Sequence, residues 1–296
     1  MEKAWLLLSQ VMTLGTTWCM FHCILKEKKQ SGQEKRKWVL LAGILLYLLL
    51  PKHVAVVRER DWTQIVIWML VPVLVAALLQ VADTQKRLWK LGFAMVAVLV
   101  IGVIGRLDGV AGLVLLLLVC VAGFDRKRWE YPVAGVLGIV LAYPTYLTWK
   151  HWIFDGNFAE SGLEYVGIMD KGYSIGGLFS TYFHRNGDPG MGILLTGSLL
   201  FLVYCSFVKG RKIWTQTDYA WLGAAGMLIL MSLRYFPWDY VQRIGQWSLG
   251  LVSLMGTPTV FFTYAQMILC VLSVEKIGNI VMACEAEDED ELQEAM

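Results

Sequence analysis

Charged residues are scarce in this chain, at 17% of 296 positions, where soluble domains have about 25%. Hydrophobic residues make up 57%, above the roughly 45–50% of soluble domains. The 26 basic and 24 acidic residues nearly cancel, and the sequence shows no clustered basic face of the kind that binds nucleic acid. A membrane is therefore the expected environment, with lipids rather than nucleic acid as partners.

Several motifs are missing. The sequence has no Walker-type loop, dinucleotide fingerprint, His-Glu-x-x-His motif or Gly-x-Ser-x-Gly elbow, so no cofactor is expected. Five of the six cysteines lie in apolar runs and Cys284 lies near the C-terminus, which argues against a disulfide framework. Cys19, His22 and Cys23 share one helical face, but zinc needs a fourth ligand. We therefore expect packing there and no metal.

Long apolar runs are abundant, and many can cross about 30 Å of hydrocarbon as helices. The predicted fold is all-α, a polytopic transmembrane helical bundle with about nine spans, within a range of eight to ten. The predicted spans are 4–25, 38–57, 62–82, 88–105, 109–124, 131–149, 191–208, 217–233 and 257–275.

The orientation follows from lysine and arginine, which resist translocation. With segment 26–37 inside, the connections carry 16 basic residues on the inner side and 10 on the outer side. The N-terminus is therefore predicted outside and the C-terminus inside. Pro72 and Pro144 fall within predicted spans, where each removes a backbone hydrogen bond and favours a kink.

Residues 1–275 are predicted to form a single transmembrane domain, followed by an acidic tail at 276–296. The acidic run that starts at Glu285 repels itself, which predicts disorder in the cytoplasm.

The longest outer loop, 150–191, is rich in aromatic residues. Within it, apolar residues at helical spacing predict an amphipathic helix near 173–184 that lies in the outer membrane interface. These residues are Ile175, Leu178, Phe179, Tyr182 and Phe183.

A polar turn follows directly, His184-Arg185-Asn186-Gly187-Asp188-Pro189-Gly190. An imidazole, a guanidinium and a carboxylate at the lipid boundary suit an anionic substrate, with Arg185 on a phosphate and Asp188 as base. The alternative is an Asp-Pro-Gly helix start with solvated neighbours.

A second polar segment runs over residues 234–243, and the Gly-rich stretch 240–256 predicts a re-entrant or surface helix. Arg234, Asp239, Arg243 and Gln246 are candidates to line the outer face, although an aromatic belt with anchoring charges explains them as well. Lys52 and His53, with charged neighbours at 58–61, form another outer cluster, either a site or an interface anchor.

Two stretches resemble a known group of proteins, namely 173–190 and Phe236-Pro-Trp-Asp239. They are similar to bacterial polytopic membrane proteins labelled 6-pyruvoyl-tetrahydropterin-synthase-related, which are distant relatives of the C-type glycosyltransferase superfamily. The resemblance covers about residues 170–265. It implies a bacterial cytoplasmic membrane and a polyprenyl-phosphate sugar donor, used with an acidic residue in an extracytoplasmic loop.

Three functions are consistent with these features. The first is glycosyl transfer from a lipid-linked sugar, with two catalytic carboxylates and five substrate-binding side chains. The second is a transporter or flippase, whose signs would be charged residues within spans and paired broken helices. The third is a non-catalytic or truncated membrane subunit, suggested by the absence of strong motifs. The catalytic candidates are Asp188 and Asp239, and the binding candidates are His184, Arg185, Arg234, Arg243 and Gln246.

Overall fold

The computed structural model describes residues 2–25, 33–125, 127–154, 172–179, 190–207, 214–237 and 258–294. Helices form the regular structure in these ranges, and the exception is a single parallel bridge between Tyr173 and Leu233, so the all-α prediction is confirmed. The helices are α1 (Glu2–Ile24), α2 (Gln33–Leu48), α3 (Pro51–Glu59), α4 (Trp62–Asp83), α5 (Arg87–Leu107), α6 (Gly109–Asp125), α7 (Glu130–Leu141), α8 (Tyr143–Phe154), α9 (Ile175–Leu178), α10 (Gly192–Phe207), α11 (Gln216–Ser232) and α12 (Thr259–Glu294).

Helix α12 is central and α1 is peripheral. Within their apolar windows, 72% of α12 is buried but only 22% of α1. Helix α12 packs on α2, α10 and α11, while α4 packs on α1 and α5, and α5 packs on α7. Among these described helices α12 is therefore mostly surrounded by protein, whereas the apolar outer face of α1 is available to lipid.

Hydrogen bonds between helix ends define the two ends of the bundle. At the end that we call the loop end, Gln64 donates to Asp108 over 3.3 Å, and the Tyr146 hydroxyl donates to Gly109 O over 3.1 Å. At the opposite end, which we call the tail end, the Lys90 ammonium donates to the Glu130 carboxylate. That hydrogen bond lowers the pKa of Glu130 below its ordinary value.

Within the described ranges, four helices are long and apolar enough to cross a membrane. They are α1, α4, α5 and the first part of α12. Helices α2 and α3 would form a fifth span if the bent pair counts as one, and 109–124, 130–141 and 192–207 are shorter apolar helices. The chain thus has the helices expected of an integral membrane protein, whereas nine spans and their orientation stay predictions.

Two predicted spans are interrupted in the structure. The span predicted at 38–57 breaks before Pro51, where α2 and α3 meet at a bend of 51°, because proline lacks the N–H that would continue the helical bonding. The span predicted at 131–149 consists of α7 and α8, with Pro144 as the second residue of α8. Pro72, by contrast, lies inside the continuous helix α4.

The acidic tail predicted to be disordered from residue 276 is helical to Glu294. Its first residue, Lys276, is buried because its ammonium pairs with Asp218 Oδ2 at 2.6 Å. The helix predicted near 173–184 also begins later. Tyr173 pairs with Leu233 instead, and the described helix covers only 175–178.

Candidate functional site

Two backbone segments that are distant in sequence cross at the loop end. The Tyr173 N–H donates to Ser232 O over 3.0 Å, and the Arg234 N–H donates to Tyr173 O over 3.1 Å. These bonds join the start of the aromatic loop segment to the end of α11. We call residues 172–179, 190–191, 232–236 and 259–266 the crossing site.

Glycine permits this crossing. A Cβ at Gly172 would lie only 2.6 Å from Arg234 N, closer than real side-chain carbons approach a backbone atom. The next helix begins immediately, since the Ser174 hydroxyl accepts from Gly177 N over 3.0 Å, which satisfies a donor in its first turn. The local sequence thus ends the extended backbone and starts α9 within two residues.

At a second place, the backbone just before α10 lies close to the backbone of α9. Met191 N donates to Leu178 O over 2.7 Å. A Cβ at Gly190 would lie 2.5 Å from Gly177 O and closer still to Leu178 O. The absence of a side chain at Gly190 therefore lets the start of α10 lie against α9.

Helix α12 supports both segments from inside the bundle. The Tyr173 and Phe262 rings have centroids 4.8 Å apart, and both side chains are buried. Gln266 donates from Nε2 to Gly190 O over 2.7 Å. Its other amide atom, Oε1, is buried and has no hydrogen-bond partner among the residues that the structure describes, which leaves a buried acceptor beside the crossing.

Arg234 is the one sequence-predicted site residue within the described ranges. Its side chain is exposed, and the guanidinium lies 5.3 Å from the centre of the Tyr235 ring. Its backbone is fixed by Tyr173 while protein leaves its guanidinium uncovered, so it can form charge-assisted bonds with a phosphate or carboxylate.

The other predicted site residues lie outside the described ranges. They are Asp188, Asp239, His184, Arg185, Arg243 and Gln246. Asp188 precedes the anchored Gly190 by two positions in sequence, and Asp239 follows Arg234 by five. The predicted surface helix at 240–256 also lies outside these ranges.

Gln266 was not predicted from the sequence, although a signal was present. An amide within the apolar run 257–275 requires a hydrogen-bond partner once it is buried in a membrane bundle. Thr259 and Thr263 follow the same face at helical spacing and are also buried. The polar residues at helical spacing in this otherwise apolar run therefore indicate which side of α12 is buried.

The two other clusters noted in the sequence have structural contacts. Gln80 Nε2 donates to Cys23 Sγ over 3.3 Å, and the His22 ring stacks on Trp18 with centroids 5.2 Å apart. In the described part of the chain no three metal-ligating side chains come together. In the second cluster, His53 is buried rather than facing the outer surface.

No protein-family model, curated protein or solved structure matches this chain.

Proposed function

We propose that this chain is an integral protein of the bacterial cytoplasmic membrane that transfers or handles a polyprenyl-phosphate-linked sugar at the outer face. The observation that carries the proposal is the crossing of Tyr173 with Leu233 and Arg234. It joins the start of the resembling stretch 173–190 to residues 232–234, which end two positions before the second resembling stretch, Phe236–Asp239. A resemblance in two separate stretches supports a shared site better when the structure brings those stretches near each other.

The residue types of the crossing site suit such a substrate. The exposed Arg234 guanidinium would bind the anionic phosphate, and the buried Gln266 would support the site by holding Gly190 in place. In our proposal His184, Arg185, Arg243 and Gln246 add further contacts with the donor. Several polar groups around one apolar-tailed ligand are typical of a substrate site at a membrane boundary.

In the proposed reaction one carboxylate, Asp188 or Asp239, acts as the general base. It takes the proton from an acceptor hydroxyl, whose oxygen bonds to the anomeric carbon of the sugar. The bond from that carbon to the phosphate oxygen breaks, and the lipid phosphate leaves with the electron pair. Cationic side chains stabilise the charge that develops on this leaving group.

The proposal includes nine spans with the N-terminus outside. The charge count of 16 basic residues on one side against 10 on the other supports this orientation. On this topology the loop end of the bundle is the outer end, so that the crossing site faces the compartment where lipid-linked sugars are used.

The test compares the envelope glycans of cells that carry wild-type protein with those of cells that carry Asp188→Asn or Asp239→Asn. Both substitutions keep the size of the side chain, and the one that removes the base should cause the loss of at least one glycan component. Glu59→Gln is the matched control, because Glu59 is an exposed carboxylate at the loop end that pairs with its exposed neighbour Arg58. Unchanged glycans in both aspartate variants would rule out these catalytic assignments.

A second candidate function, transport or flipping of a lipid-linked molecule, is favoured by the bent α2–α3 pair. Broken helices are frequent at substrate sites in transporters because their freed backbone groups can bind a ligand. Vesicles with and without the protein would differ in uptake or lipid flipping if this function holds. In that case the Asp188→Asn variant would keep the vesicle activity.

A further inference from the structure

The break between α7 and α8 leaves a backbone carbonyl to a side chain from another helix. Pro144 has no N–H to donate. The next residue, Thr145, donates its N–H to Ala142 O over 2.9 Å, although its regular α-helical acceptor is Leu141 O. Arg106, in the last turn of α5, donates from Nε to Leu141 O over 2.9 Å instead. This bond fixes the arginine at the loop end, where α5 meets the α7–α8 break.

The terminal nitrogens of this guanidinium face outward. Arg106 is exposed, and among the described residues its side chain has no ion pair and no hydrogen bond besides the one to Leu141 O. The N–H groups that remain form a planar fork that suits the oxygens of a phosphate. Arg106 is also the only lysine or arginine in the stretches 91–125 and 129–149. A ligand at this place therefore meets a single, pre-oriented positive charge.

An apolar groove between α5 and α7 leads from Arg106 towards the middle of the membrane. The two helices run in the same direction, because Lys90 and Glu130 join their first turns at the tail end. Near their other ends, a Cβ at Gly102 would lie 2.9 Å from Leu141 Cβ. Beside this close contact, both helices expose apolar side chains at a spacing of four residues. These side chains are Met95, Leu99 and Val103 on α5, and Val133, Leu137 and Leu141 on α7.

The length and the position of this groove suit one acyl chain. Arg106 follows Val103 by three positions and therefore lies on the same face of α5. From Met95 to Arg106 the helix rises by roughly 16 Å, which is about half of the hydrocarbon thickness of a bilayer. A lipid chain that starts at Arg106 would thus follow the groove across one leaflet. The groove side chains are exposed, so the protein leaves this surface open to lipid.

We propose that the α5–α7 groove binds a phospholipid of the leaflet at the loop end, with its phosphate on Arg106 and one acyl chain along the groove. A phosphodiester carries one negative charge, which one guanidinium balances. A phosphomonoester such as a polyprenyl phosphate carries about 1.5 to 2 charges at neutral pH, more than Arg106 alone neutralises. This inference goes beyond the proposed function, since it involves neither the crossing site nor the candidate carboxylates.

The first test measures lipid binding by native mass spectrometry of the purified chain in a mild detergent. Arg106→Gln removes the positive charge, so we expect it to bind phosphatidylglycerol about tenfold more weakly than the wild type does. Arg58→Gln is the matched control, because Arg58 is an exposed arginine that pairs with Glu59, and its affinity should match the wild type. Equal weakening in both variants would mean a general attraction to positive charge and would contradict a site at Arg106.

Competition in the same measurement identifies the part of the lipid that is recognised. Diacylglycerol has the chains without the phosphate, and inorganic phosphate has no chain, so neither should displace phosphatidylglycerol from the wild-type protein. Displacement by diacylglycerol would mean an apolar surface only, and displacement by inorganic phosphate would mean a site for free anions. Tighter binding of a polyprenyl phosphate than of phosphatidylglycerol would assign the groove to an isoprenoid lipid. Each of these results would overturn the proposal.

The second test keeps the arginine and locates the acyl chain. Phosphatidylglycerol with a diazirine in one chain should label the stretches 95–103 and 133–141 of the wild-type protein in nanodiscs. Leu99→Trp places a larger ring in the groove at an exposed position, so we expect this labelling to fall at least threefold. Leu117→Trp, at an exposed position on α6, is the matched control and should be labelled like the wild type. Labelling that persists in Leu99→Trp, or that misses both stretches in the wild type, would contradict the proposed groove.

Discussion

At the scale of single residues, the structure differs from the sequence-based prediction because it buries the charged side chain of Lys276. Lys276 was assigned to a solvated tail, yet its side chain is only 3% exposed. The ammonium can leave water because Asp218 neutralises it. The Thr215 backbone N–H and hydroxyl also donate to Asp218 Oδ2, over 2.6 and 2.7 Å. A buried charge in a membrane bundle persists only with such partners.

Lys276→Met should therefore destabilise the bundle by about 3–5 kcal/mol, because it leaves the Asp218 charge buried without a counter-charge. Reversible unfolding in mixed micelles by added sodium dodecyl sulfate would measure this loss. Arg58→Met is the control. The Arg58–Glu59 pair at 3.5 Å is 70% and 62% exposed, so its loss should cost less than about 1 kcal/mol. Similar losses in the two variants would contradict a buried pair that links α11 to α12.

At the scale of elements, caps and glycines determine where helices end and how closely they approach. Asp61 caps α4 by accepting from Gln64 N over 3.1 Å, and Thr215 and Asp218 form a capping box at α11. Such residue types are recognisable in sequence. The close approaches at Gly172 and Gly190 are not, because a glycine in sequence does not reveal which backbone lies against it.

Gly190→Ala should destabilise the protein by about 1–3 kcal/mol, since the added methyl overlaps the carbonyls of Gly177 and Leu178. The same substitution at Gly176, where a Cβ meets nothing within 4 Å, should be neutral or stabilising by about 0.5 kcal/mol. Thermal unfolding of the two variants in the same detergent measures the difference. A Gly190→Ala variant as stable as Gly176→Ala would show that α9 and α10 do not depend on this contact.

At the scale of the whole molecule, the connections at the tail end of the bundle are those that carry more Lys and Arg, 16 against 10. Basic residues of the segments predicted inside include Lys90 and Lys276, and both form ion pairs at the tail end. At the loop end, Asp108 of a connection predicted outside accepts from Gln64 near the start of α4, and Tyr146 donates to Gly109 O. Alternating helix direction alone requires two such groups, and in our proposal the excess of Lys and Arg places the tail end inside.

Alkaline phosphatase fusions test this assignment, because the enzyme is active only outside the cytoplasm. A fusion near residue 170 should be active, and one near residue 127 should be inactive. A green fluorescent protein series at the same positions, fluorescent only inside, should show the reverse pattern and acts as the control. Activity of the phosphatase at 127 but not at 170 would invert the proposed orientation.

The sequence alone determined the helical class and the presence of several apolar helices long enough to cross a membrane. Hydropathy, capping residues and charge act locally, so they can be read without knowing the fold. It also directed attention to the stretches 173–190 and 234–243, whose described residues Tyr173 and Arg234 are hydrogen-bonded to each other.

The tertiary structure decided what these helices bring into contact. Tyr173 pairs with Leu233, Gln266 bonds Gly190, His53 turns towards Trp68, and Lys276 is neutralised by Asp218. Each contact joins residues from different helices or segments. Its formation depends on how the helices pack, which no local pattern encodes. Polar groups that looked like interface anchors or a solvated tail therefore became buried partners once a second helix supplied the matching charge, hydrogen bond or aromatic ring.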